Sequence, residues 1–172
     1  MQRFIIKTIL LFIMAGLLPS QAYSGTSEQI SRKFIYHVYW AGIWAGTAVL
    51  SYESTPDGIA IRTHAETSPV IAMFYKVDDN AESILYPDGY PKSHVLKVRQ
   101  GRHQRHKITT FERNPEVSTY RVNYHNVLND EKARYDLDKM AYDALSGFYS
   151  LTRRELNVNK PIFIDIFDSN KL

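Results

Sequence analysis

Apolar and polar side chains alternate along much of this chain with a period of two, which is typical of strands with one buried face. The first alternating run covers residues 33–52 and breaks at Ala41-Gly42, which predicts two antiparallel strands joined by a turn. Gly46, inside the second strand, indicates a bulge or the close approach of another segment. A third strand is predicted at residues 59–65, after the turn signal Pro56-Asp57-Gly58. The chain therefore opens as a β-meander.

The same alternation continues through the rest of the chain, with turn signals about ten to twelve residues apart. Residues 126–136 are mostly polar and predict a loop. Strands at such regular spacing favour a mainly β fold, either a curled antiparallel sheet or an open barrel. The further predicted strands cover residues 81–86, 94–99, 106–111, 117–122 and 162–168.

Two segments break the alternation and predict helices. Ser68-Pro69 places a capping residue before a proline, and the apolar residues 70–75 that follow are compatible with one or two helical turns. In residues 139–154 apolar side chains recur at steps of three and four, so we expect a helix that docks on the sheet through Leu145 and Phe148. The expected fold is β-rich α+β, with one short helix and one helix near the C-terminus packed on the sheet.

The segment 1–22 has the pattern of a secretory signal peptide. Basic residues, including Arg3, precede the apolar run 8–18, and Ala22 ends a small-x-small tripeptide. The apolar run is shorter than the ~20 residues that a membrane-spanning helix needs. We therefore expect cleavage near Ala22, a periplasmic or secreted product, no transmembrane segment in the mature chain, and a single β-rich domain over residues 23–172.

Composition excludes several kinds of site. The chain of 172 residues has 21 Lys and Arg against 18 Asp and Glu, and its 12 Tyr and 8 Phe supply apolar surface for a core. It has no Cys, which excludes disulfides, a lipid-anchored N-terminal cysteine and thiolate metal ligands. The sequence contains no Gly-rich phosphate loop, no HExxH metal motif and no GxSxG nucleophile elbow. We therefore expect neither a cofactor nor a metal.

Four segments, taken in order, resemble a family of exported bacterial proteins of unknown function, the DUF3108 family. The resemblance covers nearly the whole chain after residue 22 and implies a curled antiparallel sheet with a helix across it, but no activity. In the family, the strand that matches residues 162–168 is followed by further strands, so we expect this chain to lack the family's C-terminal strands. The segments are Tyr39-Trp40-Ala41-Gly42-Ile43-Trp44-Ala45-Gly46-Thr47-Ala48, Phe74-Tyr75-Lys76-Val77-Asp78-Asp79, Gln100-Gly101-Arg102-His103-Gln104-Arg105-His106-Lys107, and Asp143-Ala144-Leu145-Ser146-Gly147-Phe148-Tyr149 with Phe167-Asp168.

A basic hairpin is the first candidate surface. Residues 92–113 hold seven Lys or Arg against one Glu, which predicts either a solvated face or a patch for an anionic lipid headgroup, glycan or membrane surface. His103 and His106 do not favour a metal site, because residues three apart in a strand face opposite ways and the nearby cations repel a divalent ion. Nucleic acid fits the same charge pattern, but an exported protein rarely meets it. The candidate anion-binding residues are Arg99, Arg102, Arg105 and Lys107.

Four aromatic residues form the candidate ligand pocket. Trp40 and Trp44 flank the first predicted turn, and Phe74 and Tyr75 end the short helix that we expect at the same end of the sheet. Core packing is the simplest role for such rings. A curled sheet encloses an apolar ligand where its interior is not filled by side chains, so these rings are also candidates to line a pocket.

Carboxylates are the candidates for acid–base chemistry, but their spacing does not favour it. Neighbouring residues of an extended chain face opposite ways, so Asp78 and Asp79 are better suited to turns or caps than to one substrate atom. A glycoside hydrolase needs two carboxylates about 5–10 Å apart on one concave face. The carboxylates considered are Asp78, Asp79, Glu82 and Asp168.

The sequence favours an exported, non-enzymatic β-domain that binds an apolar or amphipathic envelope ligand or a partner protein. Two alternatives from other classes remain open. One is an enzyme acting on cell-envelope glycans through paired carboxylates. The other is a structural or assembly protein that adds a partner's strand to its open sheet edge.

Overall fold

The computed structural model describes residues 31–114 and 119–168, so the predicted signal peptide lies outside the described residues. Eight strands form one antiparallel sheet in which each strand pairs with the next along the chain. Within the described residues the first and last strands do not pair with each other, so the sheet curls but stays open. This confirms the predicted mainly β fold. The strands are β1 (Ser31–Trp40), β2 (Ile43–Thr55), β3 (Gly58–Thr67), β4 (Asp78–Leu85), β5 (Pro91–Gln100), β6 (His103–Asn114), β7 (Thr119–Asn126) and β8 (Glu131–Leu137).

Two helices accompany the sheet, as predicted: the first has about one turn, as expected, and the second is shorter than the predicted range 139–154. Helix α1 (Pro69–Ala72) connects β3 to β4, and helix α2 (Ala144–Thr152) follows β8. Ser68 caps α1, accepting a hydrogen bond from the backbone N–H of Ile71 at 3.5 Å. Asp143, whose own backbone is extended, caps α2, and Tyr142 just before it forms an isolated parallel bridge with Ile166.

The connections between strands alternate between the two ends of the sheet, as a meander requires. One end contains the β1–β2, β3–β4, β5–β6 and β7–β8 connections, and we call it the α1 end because α1 lies in one of them. The other end, which we call the distal end, contains the β2–β3, β4–β5 and β6–β7 connections. Segments that are far apart in sequence therefore lie at the same end of the sheet.

The core lies on one face of the sheet, which we call the inner face. One cluster joins Ile59, Ile61 and Leu85 to Leu145 and Tyr149 of α2. A second cluster covers the later strands and takes in Ala141 and Phe167 from the segment after β8. Helix α2 and the chain that follows it therefore cover part of the inner face. The second cluster consists of Tyr90, Phe111, Val122, Tyr124, Leu137, Ala141 and Phe167.

Gly46 allows two neighbouring strands to approach closely. The register of β1 on β2 shifts between Val38 and Tyr39, and Val38 lies opposite Gly46. A Cβ atom at this position would lie 2.2 Å from the carbonyl oxygen of Glu66 on β3, closer than real contacts allow. Both the predicted bulge and the predicted close approach are confirmed.

Three sequence predictions about local structure were wrong. Residues 126–136 were expected to form a loop but contain most of β8. The apolar residues of β8 point to the inner face, and the Lys and Arg residues that alternate with them point to the outer face. Residues 162–168 do not form a regular strand: Phe167 enters the core while Phe163 stays 86% exposed. Phe148 was expected to dock α2, but it is 53% exposed, and Leu145 makes the core contact instead. The alternation of apolar and polar residues indicates which side chains are shielded from water. It does not indicate whether a neighbouring strand edge is available for pairing.

Candidate ligand-binding groove

A groove of about 670 Å³ runs between the inner face of β1 and β2 and the side of α2. This volume lies within the range of about 300–1,000 Å³ that small-molecule sites occupy. Its side chains are mostly aromatic or aliphatic, with a guanidinium group contributed by β1 and another by the end of α2. The residues that define its character are Phe34, Tyr36, Leu50, Tyr52, Phe148 and Tyr149, with Arg32 and Arg153 as the cations.

The alternation of β1 explains why this strand can line the groove. Arg32, Phe34 and Tyr36 project to the inner face, and the residues between them project to the outer face. Phe34 lies opposite Leu50 on β2, in the register of the antiparallel pair. A charged residue and two aromatic residues therefore follow one another along the same wall.

The aromatic rings of the groove pack against one another and leave apolar surface free. The rings of Phe34 and Tyr52 are 6.2 Å apart and nearly perpendicular, and those of Tyr52 and Tyr149 are 5.8 Å apart. Burial, together with the Tyr36 and Tyr149 hydroxyls, raises the pKa of Tyr52 above its usual value. Phe34 is still 41% exposed, so the wall is formed but not covered.

A buried carboxylate holds the α2 wall in place. Asp143 is 2% exposed, and its Oδ1 accepts hydrogen bonds from the backbone N–H groups of Leu145 and Ser146 at 2.9 and 3.1 Å. Its Oδ2 accepts hydrogen bonds from the hydroxyls of Ser83 and Ser146 at 2.6 and 2.7 Å. This network pins the start of α2 to β4, so the groove wall has a defined position.

His94 lies beside the same carboxylate without bonding to it. Its Nδ1 atom is 3.3 Å from Oδ1 of Asp143, in a geometry that does not make a hydrogen bond. Burial lowers the pKa of His94 and outweighs the carboxylates of Asp143 and Asp168, which favour the charged ring. The arrangement is not that of a nucleophilic triad, because Asp143 and not the histidine contacts the serine hydroxyls.

Comparison with known proteins decides the family. The sequence model of DUF3108, described as a protein of unknown function, matches residues 35–172. The chain belongs to the DUF3108 family. This confirms the resemblance seen in the four sequence segments. No curated protein and no solved structure matches the chain.

The four predicted pocket residues of this DUF3108 protein lie at the α1 end, outside the groove lining. Trp40 and Phe74 are 74% and 84% exposed, and Trp44 and Tyr75 are also exposed. The indole N–H of Trp44 donates a hydrogen bond to the carbonyl of Gly46 at 2.8 Å. The residues share one end of the sheet, as expected, but they form an outer surface there.

The candidate anion-binding residues of the DUF3108 protein divide into two groups. Arg99, Arg102 and Arg105 are exposed around the β5–β6 turn. Lys107 is less exposed, and on the inner face its Nζ is 5.8 Å from the ring centroid of Tyr124 and 3.9 Å from Asp168. The strand register puts Arg105 on the inner face as well and Arg99 on the outer face, so the three exposed arginines share the turn but not one face of the sheet.

The candidate acid–base carboxylates also divide between the faces. The strand register puts Asp78 and Glu82 on the outer face and Asp79 on the inner face. Glu82 accepts a hydrogen bond from Nε of Arg62 at 2.5 Å, and Asp79 accepts one from the backbone N–H of Arg99 at 3.0 Å. Among the described residues, no group of three or more His, Asp or Glu side chains is arranged to hold a metal ion.

The groove could not be predicted from the sequence because its walls come from distant segments. One signal for it was present in the sequence of β1, where apolar residues occupy both faces, with Phe34 inward and Ile35 outward. A strand that only packs on a core needs apolar residues on one face. The helix predicted over residues 139–154 placed Asp143 inside the helix and not at its cap, and nothing local pointed to Ser83 or His94. Over residues 31–114 and 119–168, no helix has the length and apolar character needed to cross a membrane.

Proposed function

We propose that this DUF3108 protein is an exported, non-enzymatic binding domain that holds an amphipathic ligand with an anionic head in the groove. The apolar part of the ligand lies against the aromatic walls, and the head lies near Arg32 and Arg153. The observation that carries the proposal is the half-covered aromatic wall of β1 facing α2 across a groove of about 670 Å³.

The sign of the head group follows from the charges in the groove. Arg32 and Arg153 line it, and no Asp or Glu occurs among the described residues that do so. The guanidinium carbon of Arg153 also lies 5.8 Å from the centroid of the Tyr149 ring, which orients the charge at the end of α2. A carboxylate or phosphate is therefore favoured over a cationic head.

The apolar contacts contribute most of the expected affinity. Each CH₂ group of a ligand that leaves water contributes about 0.8 kcal/mol, so an acyl chain gains several kcal/mol along the aromatic wall. An ion pair with an exposed guanidinium contributes only about 0–1 kcal/mol and weakens in salt. The rings therefore determine how tightly the ligand binds, and the arginines determine which head group is preferred.

The test uses neighbouring residues of β1 that face opposite ways. A fluorescent polyene fatty acid is titrated into the full chain and into the variants Phe34→Ser and Ile35→Ser. We expect Phe34→Ser to raise Kd about tenfold, equivalent to about 1.4 kcal/mol, and Ile35→Ser to leave Kd unchanged. Arg32→Ser and Lys33→Ser form a second matched pair, with an increase in Kd of about threefold expected only for Arg32→Ser.

The same titration can refute the proposal. Absence of saturable binding to the unmodified chain contradicts a fatty-acid-like ligand. Equal loss of affinity in Phe34→Ser and Ile35→Ser contradicts the groove as the binding site, because only Phe34 belongs to it.

A further inference from the structure

The α1 end of the sheet exposes large apolar side chains that the groove does not use. Met73 and Phe74, directly after α1, are 81% and 84% exposed. Trp40 at the end of β1 is 74% exposed, and its strand partner Ile43 and Val70 of α1 are also exposed. Placing several such side chains together in water is unfavourable, so an exposed cluster of this kind marks a surface that contacts another molecule or a membrane.

Hydrogen bonds and a ring contact join the segments at this end. The Ser68 hydroxyl donates a hydrogen bond to the carbonyl of Trp44 at 2.9 Å, which fixes α1 to the start of β2. The N–H of Gly101 donates a hydrogen bond to the carbonyl of Lys76 at 2.8 Å, which fixes the segment after α1 to the β5–β6 turn. The ring of Tyr75 lies on that turn, since a Cβ at Gly101 would come within 2.9 Å of it.

Exposed cations lie around the β5–β6 turn, next to the segment that follows α1. Lys76, Arg99, Arg102 and Arg105 all belong to the β5–β6 turn or to the segment bonded to it. Within the described residues, none of these four forms an ion pair with a carboxylate. Their charge is therefore available to an external anion.

We propose that the α1 end docks on a lipid bilayer that carries anionic head groups. Trp40, Met73 and Phe74 enter the interfacial layer, where amphipathic aromatic rings are favoured. The cations at the β5–β6 turn lie at the level of the lipid phosphates and add electrostatic attraction to the apolar burial. The combination of protruding rings with unpaired positive charge favours an anionic bilayer over a protein partner. This surface shares no residue with the groove lining, so it can be tested separately from ligand binding.

The chain carries its own fluorescent reporter for this surface. Its 2 Trp residues are Trp40 and Trp44, both at the α1 end. The full chain is mixed with phosphatidylcholine vesicles and with vesicles that also contain phosphatidylglycerol. With the anionic vesicles we expect cosedimentation, a blue shift of the tryptophan emission and quenching by brominated lipid, all weakened at high salt.

Matched variants separate this end from the rest of the chain. We expect Met73→Ser with Phe74→Ser to weaken binding to anionic vesicles at least tenfold, and Arg102→Ser with Arg105→Ser to weaken it severalfold at low salt. Phe163→Ser, which removes an equally exposed ring from the segment after α2, should leave binding unchanged. All variants keep residues 1–30, so any binding by that segment is common to them.

Each result decides for or against the proposal. Absence of vesicle binding overturns it, and so does binding without a tryptophan blue shift, because another part of the chain is then responsible. Undiminished binding of the Met73→Ser, Phe74→Ser variant overturns it as well. Equal binding to neutral and anionic vesicles refutes the electrostatic contribution of the β5–β6 turn.

Discussion

The hydroxyl of Ser83 on β4 donates a hydrogen bond of 2.6 Å to the carboxylate of Asp143, the residue that caps α2. Both side chains are almost completely buried. A buried charge is tolerated only when it is well hydrogen-bonded, and here each carboxylate oxygen accepts two hydrogen bonds. This contact therefore joins the helix to the sheet and sets the position of one groove wall.

Removal of the Asp143 carboxylate should destabilise the protein strongly. Asp143→Ala leaves the buried hydroxyls of Ser83 and Ser146 and the first helical N–H groups without their acceptor. We expect the free energy of unfolding to fall by about 3 kcal/mol or more, from a lost cap of about 1 kcal/mol and unsatisfied buried groups of about 1–3 kcal/mol each. Urea denaturation measures the change. Asp136→Ala, which removes an exposed partner of Arg121, serves as the control and should change little.

Buried His94 should make stability depend on pH in a defined direction. Burial lowers its pKa in the folded state below the usual 6.5, so the unfolded chain takes up a proton first as the pH falls. Stability contributed by the neutral ring is present above pH 6.5 and is lost as the pH falls towards the folded-state pKa. We expect the free energy of unfolding to decline less between pH 7.5 and 5 in His94→Gln than in the unmodified chain. Equal declines, measured by denaturation at each pH, would contradict this origin.

Two neighbouring positions of α2 should separate stability from ligand binding. Leu145 packs against the core cluster of Ile59, Ile61 and Leu85, so Leu145→Ala should lower the free energy of unfolding by about 2 kcal/mol or more. Phe148 is 53% exposed and lines the groove, so Phe148→Ala should cost less than about 1 kcal/mol while weakening fatty-acid binding. Denaturation and probe titration on the same samples measure both effects. A larger stability loss for Phe148→Ala than for Leu145→Ala would refute this division of roles.

Local patterns predicted those parts of the fold whose causes are themselves local. Gly46 marked a close approach because only a residue without a Cβ fits beside the Glu66 carbonyl. Ser68 marked the start of α1 because its side chain accepts from the first helical turn. The strand β8 was missed because Lys132 and Arg134 on its outer side made the segment look like a polar loop. Side-chain polarity reports contact with water and does not distinguish a polar loop from a strand with one solvated face.

The candidate site was less predictable, because it depends on which distant faces meet. The sequence established that Phe34 belongs to an alternating strand and that Phe148 belongs to a helix, and it identified the family. Only the tertiary structure decided that these rings line the same groove and that Trp40 and Phe74 are exposed at the α1 end of the sheet. The physical reason is that alternation determines only which side of its strand a side chain occupies. What packs against that side depends on the curvature of the sheet and on long-range contacts such as that between Ser83 and Asp143.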